Sequence, residues 1–138
     1  MYTLKTNACF DSAHFLHGYE GKCANIHGHR WKIEVEVGRE SLNETGTNRG
    51  MIVDFSKLKK DLNEMTEDLD HSFIIEKGSL RPKTMDALKE EQFRIIEVDF
   101  RPTAENFAKY FYEKMQKKGY HVIVTTVYET PNNCASYK

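Results

Sequence analysis

Three histidines are spaced so that their side chains could share one ion. His27 and His29 are separated by one residue, and such residues in an extended segment point to the same face. His14 ends another run that reads as extended. If the two runs pair, three imidazoles meet, which is the ligand set of a zinc site with an open fourth position. Imidazole also suits copper, iron and nickel. Alternatively, His27 and His29 are simply two polar residues on the solvent-exposed face of a strand.

Two further groups could move protons beside such an ion. Cys23 lies four residues before His27, and near a divalent cation its thiol would ionise more readily and could act as a base. The alternative is a small, inert core cysteine. Asp70 and His71 are adjacent, just after a predicted helix. A carboxylate beside an imidazole gives an oriented base that works near neutral pH, and the alternative is a histidine that only complements the helix dipole.

Two glutamates are candidates for contacts with a bound molecule. Glu129 ends a predicted strand, where its carboxylate could accept two parallel hydrogen bonds from the flat edge of a pterin or purine ring. The alternative is a solvated strand end. Glu105 lies in the first turn of a predicted helix, where a negative residue already complements the helix dipole without any further role.

The elements that must position these residues follow from hydrophobic periodicity. We predict strands at residues 2–12, 27–38, 120–129 and 134–137, main helices at 55–68 and 103–119, a short helix at 84–92 and a short strand at 94–98. Two strands, two main helices and two strands indicate an α+β domain with an antiparallel sheet and its helices on one face. Because a small open sheet leaves exposed edges, we expect an oligomer.

Both main helices carry apolar residues at helical spacing. Asp54 is the predicted N-cap of the first helix, because its carboxylate can accept from free amides of the first turn. One apolar face is predicted to contain Phe55, Leu58, Leu62, Met65 and Leu69.

Composition excludes several classes of protein. The chain has 138 residues, which fits a single domain at residues 1–138. A formal net charge of −1 argues against a nucleic-acid or anionic-membrane surface as the main partner. No segment is apolar enough for a signal peptide or a membrane span. Three cysteines cannot all pair, so we expect a reducing, cytoplasmic location.

Six short motifs occur together and in order from about residue 9 to the C-terminus. They are Phe10-Asp-Ser-Ala-His14, Cys23-x3-His27-Gly-His29, Met51-Ile-Val-Asp54-Phe, Leu69-Asp70-His71, Pro102-Thr-Ala-Glu105-Asn and Glu129-Thr-Pro131. Together they resemble the 6-pyruvoyltetrahydropterin synthase superfamily. The short spacing between Cys23 and His27 is most similar to the bacterial branch, 6-carboxytetrahydropterin synthase.

The resemblance implies a fold and an activity that spacing alone does not show. The fold would be the tunnelling fold, in which subunits pair their sheets into rings, commonly stacked as hexamers with active sites at subunit interfaces. The branch converts 7,8-dihydroneopterin triphosphate into 6-carboxytetrahydropterin, acetaldehyde and triphosphate, on the route to deazaguanine nucleosides such as queuosine.

The resemblance also implies roles for single residues. Zn²⁺ would be held by His14, His27 and His29. The proton-transfer group would be Cys23, Asp70 and His71. Glu129 would anchor the pterin, and Glu105 would make a second polar contact with it.

Two alternatives stay open at this point. A 6-pyruvoyltetrahydropterin synthase would share the site and the substrate but keep the three-carbon side chain. A non-catalytic zinc-binding module of the same fold would lack turnover. The segment between Ile75 and Arg101 departs from compact members by its greater length, and no glycine-rich loop for the triphosphate is present.

Overall fold

A six-stranded sheet and three helices make up the computed structural model, which describes residues 1–138. In chain order the elements are β1 (Tyr2–His14), β2 (His27–Arg39), α1 (Phe55–Glu67), β3 (Ser72–Glu76), α2 (Pro82–Glu90), β4 (Ile95–Val98), α3 (Ala104–Lys117), β5 (Val122–Thr130) and β6 (Asn133–Tyr137). A short 3₁₀ helix, Lys22–Ala24, lies between β1 and β2. None of the helices combines the length and the apolar character needed to cross a bilayer.

The sheet is mixed, with the strand order β4-β3-β1-β2-β5-β6. The four strands predicted to form an antiparallel sheet do pair that way, as β1 with β2, β2 with β5 and β5 with β6. On the other side of β1 the sheet continues in parallel, with β3 against β1 and β4 against β3. Parallel neighbours need a crossover connection, and α2 lies in the connection between β3 and β4. Residues 72–98 therefore form a strand–helix–strand unit at one edge of the sheet.

The long ladder between β1 and β2 sets which side chains enter the core. Its register runs without a shift from Tyr2 opposite Arg39 to His14 opposite His27. Alternate residues of both strands point to the face covered by α1 and α3, where Phe10 and Trp31 are almost fully buried and their rings stack. The same alternation carries the three histidines onto the core face at the end of the ladder.

The two main helices form as predicted, with one local correction. The Asp54 carboxylate accepts a hydrogen bond from the Ser56 amide at 2.7 Å, which confirms the predicted N-cap. The buried stripe of α1 begins at Leu58, whereas Phe55 is 60% exposed and does not belong to it. Phe55 is the first helical residue, and it lies beside a surface groove lined by Tyr2 and other apolar residues. Helical spacing alone could not show that this first position of the helix is exposed.

Candidate metal centre and active site

The register of β1 and β2 brings the three histidines together. His14 lies directly opposite His27, and His29 lies opposite Ser12 on the same face. One ligand nitrogen from each of the three rings lies within 4.8 Å of the others. The ring centroid of His14 is 4.5 Å from that of His27 and 5.1 Å from that of His29. The structure thus produces the cluster predicted from spacing, and its role as a metal site remains a proposal.

Backbone contacts assign the tautomers of two of these rings. His14 Nδ1 lies 2.7 Å from the Pro102 carbonyl, and His27 Nδ1 lies 2.7 Å from the Asn25 carbonyl. Because a carbonyl oxygen only accepts hydrogen bonds, each Nδ1 carries a proton that it donates. The Nε2 atoms of both rings are left as lone-pair acceptors. Such backbone contacts are the usual way in which metal-binding histidines are oriented.

The free nitrogens point at one another. The Nε2 atoms of His14 and His27 are 3.0 Å apart, and two lone pairs at this separation repel unless a cation or a proton lies between them. The distance is close to the separation of about 3.3 Å between ligand nitrogens in a tetrahedral zinc site. His29 Nε2 is buried without a hydrogen bond, although Glu129 Oε1 lies 3.3 Å away, because the angles of that contact are poor. The three imidazoles therefore fit a divalent cation.

Burial keeps two of the rings uncharged. It lowers the pKa of His14 to about 4, outweighing the Pro102 contact that raises it, and the neighbouring histidines lower this pKa further. Burial also lowers the pKa of His29, against the opposing effect of the Glu129 carboxylate. Neutral imidazole is the form that binds metal. These residues are therefore ready to bind a metal ion at neutral pH without first losing a proton.

The buried Trp31 ring packs against two of the three histidine rings. Its side chain is fully buried, and its ring packs edge-on against His14 at 5.1 Å and His29 at 5.3 Å between centroids. The indole N–H donates to the buried Ser12 hydroxyl at 3.0 Å. Locked neighbours of this kind restrict the rotamers of the two imidazoles.

Asp70 and His71 form an oriented pair directly after α1. The two oxygens of Asp70 accept separately, one from the Asp11 amide at 2.7 Å and the other from His71 Nδ1 at 2.7 Å. These contacts, first of all the Asp11 amide, hold the pKa of Asp70 below its usual value. His71 adopts the left-handed conformation with φ 51°, and its amide donates to the Asp11 carbonyl at 2.8 Å. His71 Nε2 is thus free, and its ring is largely exposed.

The oriented pair does not join the three histidines within one chain. The Asp11 side chain points away from the core face that carries Ser12 and His14, and its carboxylate lies within 4.8 Å of the ligand atoms of Asp70 and His71. The pair is therefore on the Asp11 side of the sheet. His29 and His71 nevertheless line one open groove of about 770 Å³ that passes around the strand ends.

Cys23 lies in the 3₁₀ helix between β1 and β2. It is partly buried, and its carbonyl accepts from the Leu16 amide at 2.9 Å, which closes the loop toward the end of β1. Its sulfur is not among the ligand atoms gathered around the histidines. The cluster therefore consists of three imidazoles, with the thiol outside it.

The two glutamates differ in how close they lie to the centre. Glu129 borders a cavity of about 570 Å³ together with His29, Arg30 and Thr130. Glu105 is exposed in the first turn of α3, makes no ion pair and lines neither this cavity nor the larger groove. The structure thus brings Glu129 close to the histidine cluster and leaves Glu105 outside it.

Several contributors could not be found from sequence. The carbonyls of Asn25 and Pro102 orient two rings, and Asp11 holds Asp70 and His71 through its backbone. Pro102 and Asp11 had a signal only in that each belongs to one of the six motifs. A backbone contact has no side-chain signature, so its partner becomes visible only in three dimensions.

Comparison with known proteins gives a consistent result. The family model described as 6-pyruvoyl tetrahydropterin synthase matches residues 3–138. A 6-carboxy-5,6,7,8-tetrahydropterin synthase of Haemophilus influenzae is 31% identical over 100% of this chain and 99% of its own length. One of Aquifex aeolicus is 36% identical over 85% of this chain and 76% of its own. The structure of Caenorhabditis elegans 6-pyruvoyl tetrahydropterin synthase superposes with a TM-score of 0.70 and 25% identity, covering 99% of this chain and 94% of that one.

Proposed function

Because this chain belongs to the 6-pyruvoyl tetrahydropterin synthase family and has its tunnelling fold, we propose that it is a zinc-dependent 6-carboxy-5,6,7,8-tetrahydropterin synthase. The reaction would convert 7,8-dihydroneopterin triphosphate and water into 6-carboxytetrahydropterin, acetaldehyde and triphosphate, in the biosynthesis of queuosine and related deazaguanines. The observation that carries the proposal is the full-length similarity to a relative named for this product.

His14, His27 and His29 would hold the zinc ion. Their support is the convergence of free nitrogens described above, with two rings oriented by backbone carbonyls. Zinc bound there would supply a Lewis acid for the oxygens of the substrate side chain. Three protein ligands leave a position for substrate, as in catalytic rather than structural zinc sites.

Cys23 and His71 would move the protons. Cys23 as a thiolate would take a proton from a side-chain carbon of the substrate. His71 would return a proton from the opposite side, with Asp70 holding its Nδ1–H and leaving Nε2 toward the substrate. Removal of the first proton would place negative charge on the side-chain oxygens, return of a proton to carbon would neutralise it, and the rearranged side chain would then lose triphosphate.

Glu129 would recognise the pterin ring. Its carboxylate lies beside His29 at the border of a cavity, and it would accept two hydrogen bonds from the amidine-like edge of the ring. Glu105 would make a second polar contact. Because Glu105 lies outside the cavities of its own chain, this contact requires a neighbouring subunit.

We also propose that the complete site forms between subunits of a homo-oligomer, with a hexamer favoured. Within one chain His71 faces the Asp11 side of the sheet, while the metal cluster faces the core side. Large apolar side chains at the groove are strongly exposed, with Ile26 at 63% and Phe93 at 60%. A second copy would cover them and could bring its own Asp70 and His71 toward Cys23.

The experiment is product identification with zinc-loaded protein and 7,8-dihydroneopterin triphosphate. We expect 6-carboxytetrahydropterin by mass spectrometry and one acetaldehyde for each triphosphate released. Release of triphosphate with a pterin that keeps three side-chain carbons, and no acetaldehyde, would indicate a 6-pyruvoyltetrahydropterin synthase instead. A zinc-loaded, assembled protein that leaves the substrate intact would be a non-catalytic module.

A further inference from the structure

Arg94 binds the C-terminal end of α1 from the neighbouring strand segment. Its Nη1 donates to the Asp70 carbonyl at 2.7 Å, and its Nη2 donates to the Asp68 carbonyl at 2.6 Å. Both nitrogens also lie 3.4–3.5 Å from the Glu67 carbonyl. One guanidinium therefore serves three backbone oxygens of the turn that leads from α1 to His71.

This contact meets a need that α1 does not satisfy itself. The last carbonyls of a helix have no partner within the helix, and a cation there also complements the helix dipole. The last turn of α1 contains no basic residue. Arg94 comes instead from just before β4, where its carbonyl accepts from the Phe73 amide at 2.9 Å. The segment between α2 and β4 thus supplies the basic side chain that the last turn of α1 lacks.

The Asp70 carbonyl is the critical one of the three. It belongs to the same peptide unit as the His71 amide, which donates to the Asp11 carbonyl at 2.8 Å. The peptide plane is therefore held on one side by Asp11 and on the other by Arg94. His71 needs this support, because a non-glycine residue in the left-handed region is strained.

We propose that Arg94 is a positioning residue for the Asp70–His71 pair: it fixes the peptide between these two residues and thereby the direction in which His71 Nε2 points. The inference rests on the proposed function for the role of His71, but the fixed peptide is a property of the chain alone. Arg94 and His71 both line the open groove. Arg94 acts here through its bonds to the backbone and needs no contact with the reacting atoms.

Arg94 could fix the peptide plane or only complement the helix dipole, and these two roles predict different effects of a lysine at this position. Lysine would keep the positive charge near the end of α1, but one ammonium group cannot reproduce two parallel donors in fixed geometry. If Arg94 only complements the helix dipole, Arg94→Lys should behave as the wild type. If Arg94 fixes the peptide plane, Arg94→Lys should fail to restore it.

The test compares Arg94→Lys with Arg94→Met and with the control Arg81→Met. Arg81 lies in the same segment, and its side chain makes no ion pair or capping hydrogen bond. Amide hydrogen exchange of Asp11 and His71 is followed by NMR, together with zinc content, thermal midpoint, kcat and KM. For Arg94→Lys we expect exchange at His71 to rise about 10-fold through local opening. We expect kcat to fall about 10-fold to 100-fold from misplacement, with zinc content and KM unchanged.

The outcomes separate this proposal from the proposed function. Wild-type exchange and kcat in Arg94→Lys would overturn the positioning role. Faster exchange with unchanged kcat would also overturn it, because the turn would then be irrelevant to turnover. Arg81→Met should match the wild type in every measurement. If the wild type itself does not turn over the pterin, the proposed function fails, while unchanged exchange at His71 in Arg94→Lys would still overturn the fixed peptide independently.

Discussion

For the single residues of the histidine cluster, the capacity to bind a metal ion depends on which nitrogen of each ring is free. His14 and His27 each use Nδ1 on a backbone carbonyl, so their Nε2 atoms face each other at 3.0 Å. The third free nitrogen, on His29, is buried without a hydrogen bond. A buried polar atom without a hydrogen bond destabilises a protein. A cation among the three nitrogens would relieve this, and we therefore expect zinc to stabilise the folded chain.

Metal-free protein should lose stability as the pH falls from about 6.5 to about 4. Folding lowers the pKa of His14 from 6.5 to about 4 because burial disfavours its charged form, and it lowers that of His29 in the same direction. Between these values the unfolded chain binds protons that the folded chain does not, so protons favour unfolding. Urea midpoints measured at pH 7, 5.5 and 4.5 should decrease in this order. The decrease should be smaller in His14→Gln, and a constant midpoint in the wild type would contradict the buried, neutral ring.

Glu129→Gln should weaken substrate binding without releasing zinc. The substitution removes a charged acceptor, and each hydrogen bond to a charged group contributes about 1.5–3 kcal/mol. The three histidines remain, so zinc content measured by mass spectrometry should equal that of the wild type. Binding of the pterin is measured by calorimetry, with Glu105→Gln for comparison. Unchanged affinity in Glu129→Gln would return this residue to the role of a solvated strand end.

At the scale of elements, periodicity predicted most of the fold because the strongest patterns were local. The alternating strand after His29 and the two apolar helices appear where they were predicted, and the first strand extends two residues beyond its predicted end to His14. The parallel strand β3 was missed, because it is short, only the turn at residues 68–71 separates it from α1, and it pairs with β1, which is distant in sequence. Pairing between strands that are distant in the sequence produces no periodic pattern of apolar residues. The role of Arg94 could not be predicted for the same reason, because its partners are backbone carbonyls in a distant part of the sequence.

A buried carboxylate joins α1 to the connection between α3 and β5. Asp61 accepts from Lys57 at 2.7 Å, Lys118 at 3.1 Å and the Tyr120 hydroxyl at 2.5 Å. Burial raises the pKa of Asp61, but these three donors outweigh it and hold the pKa well below the usual range. The group therefore stabilises the fold at neutral pH and loses this contribution only in strong acid.

Asp61→Asn should lower the thermal midpoint while zinc content stays unchanged. The amide cannot accept from all three donors with full charge, and it leaves two lysines without their shared partner. Glu64→Gln is the matched control, since Glu64 is more exposed and contacts Lys118 at 2.9 Å. Its effect, measured by calorimetry at pH 7, should be smaller. Equal effects would show that Asp61 contributes no more than a surface ion pair.

At the scale of the whole molecule, the subunit leaves features that only assembly would complete. We propose that residues 1–138 fold as one domain around the single core between the sheet and the helices α1 and α3. Exposed apolar residues at the groove and the separation of His71 from the histidine cluster both support a shared site. Assembly would then be a condition for activity as well as for stability.

The isolated subunit should accordingly be inactive. Light scattering and turnover, measured on the same samples during dilution, should show that activity disappears as the oligomer dissociates. Phe93→Ser removes an exposed apolar side chain at the groove and should shift dissociation to higher protein concentration. A monomer with the full activity of the assembled sample would contradict the shared site.

We propose above all that the three histidines hold a zinc ion beside a thiol that takes part in turnover. The most direct measurement is the rate of acetaldehyde release per bound zinc in Cys23→Ala and in the wild type. Because Cys23 lies outside the cluster of ligand atoms, the variant should assemble and keep about one zinc per subunit. Its rate should fall about 10²-fold to 10⁴-fold, as expected for the loss of a general acid or base. Loss of zinc would make Cys23 a fourth ligand of a structural site, and an unchanged rate would assign the proton transfer to other residues.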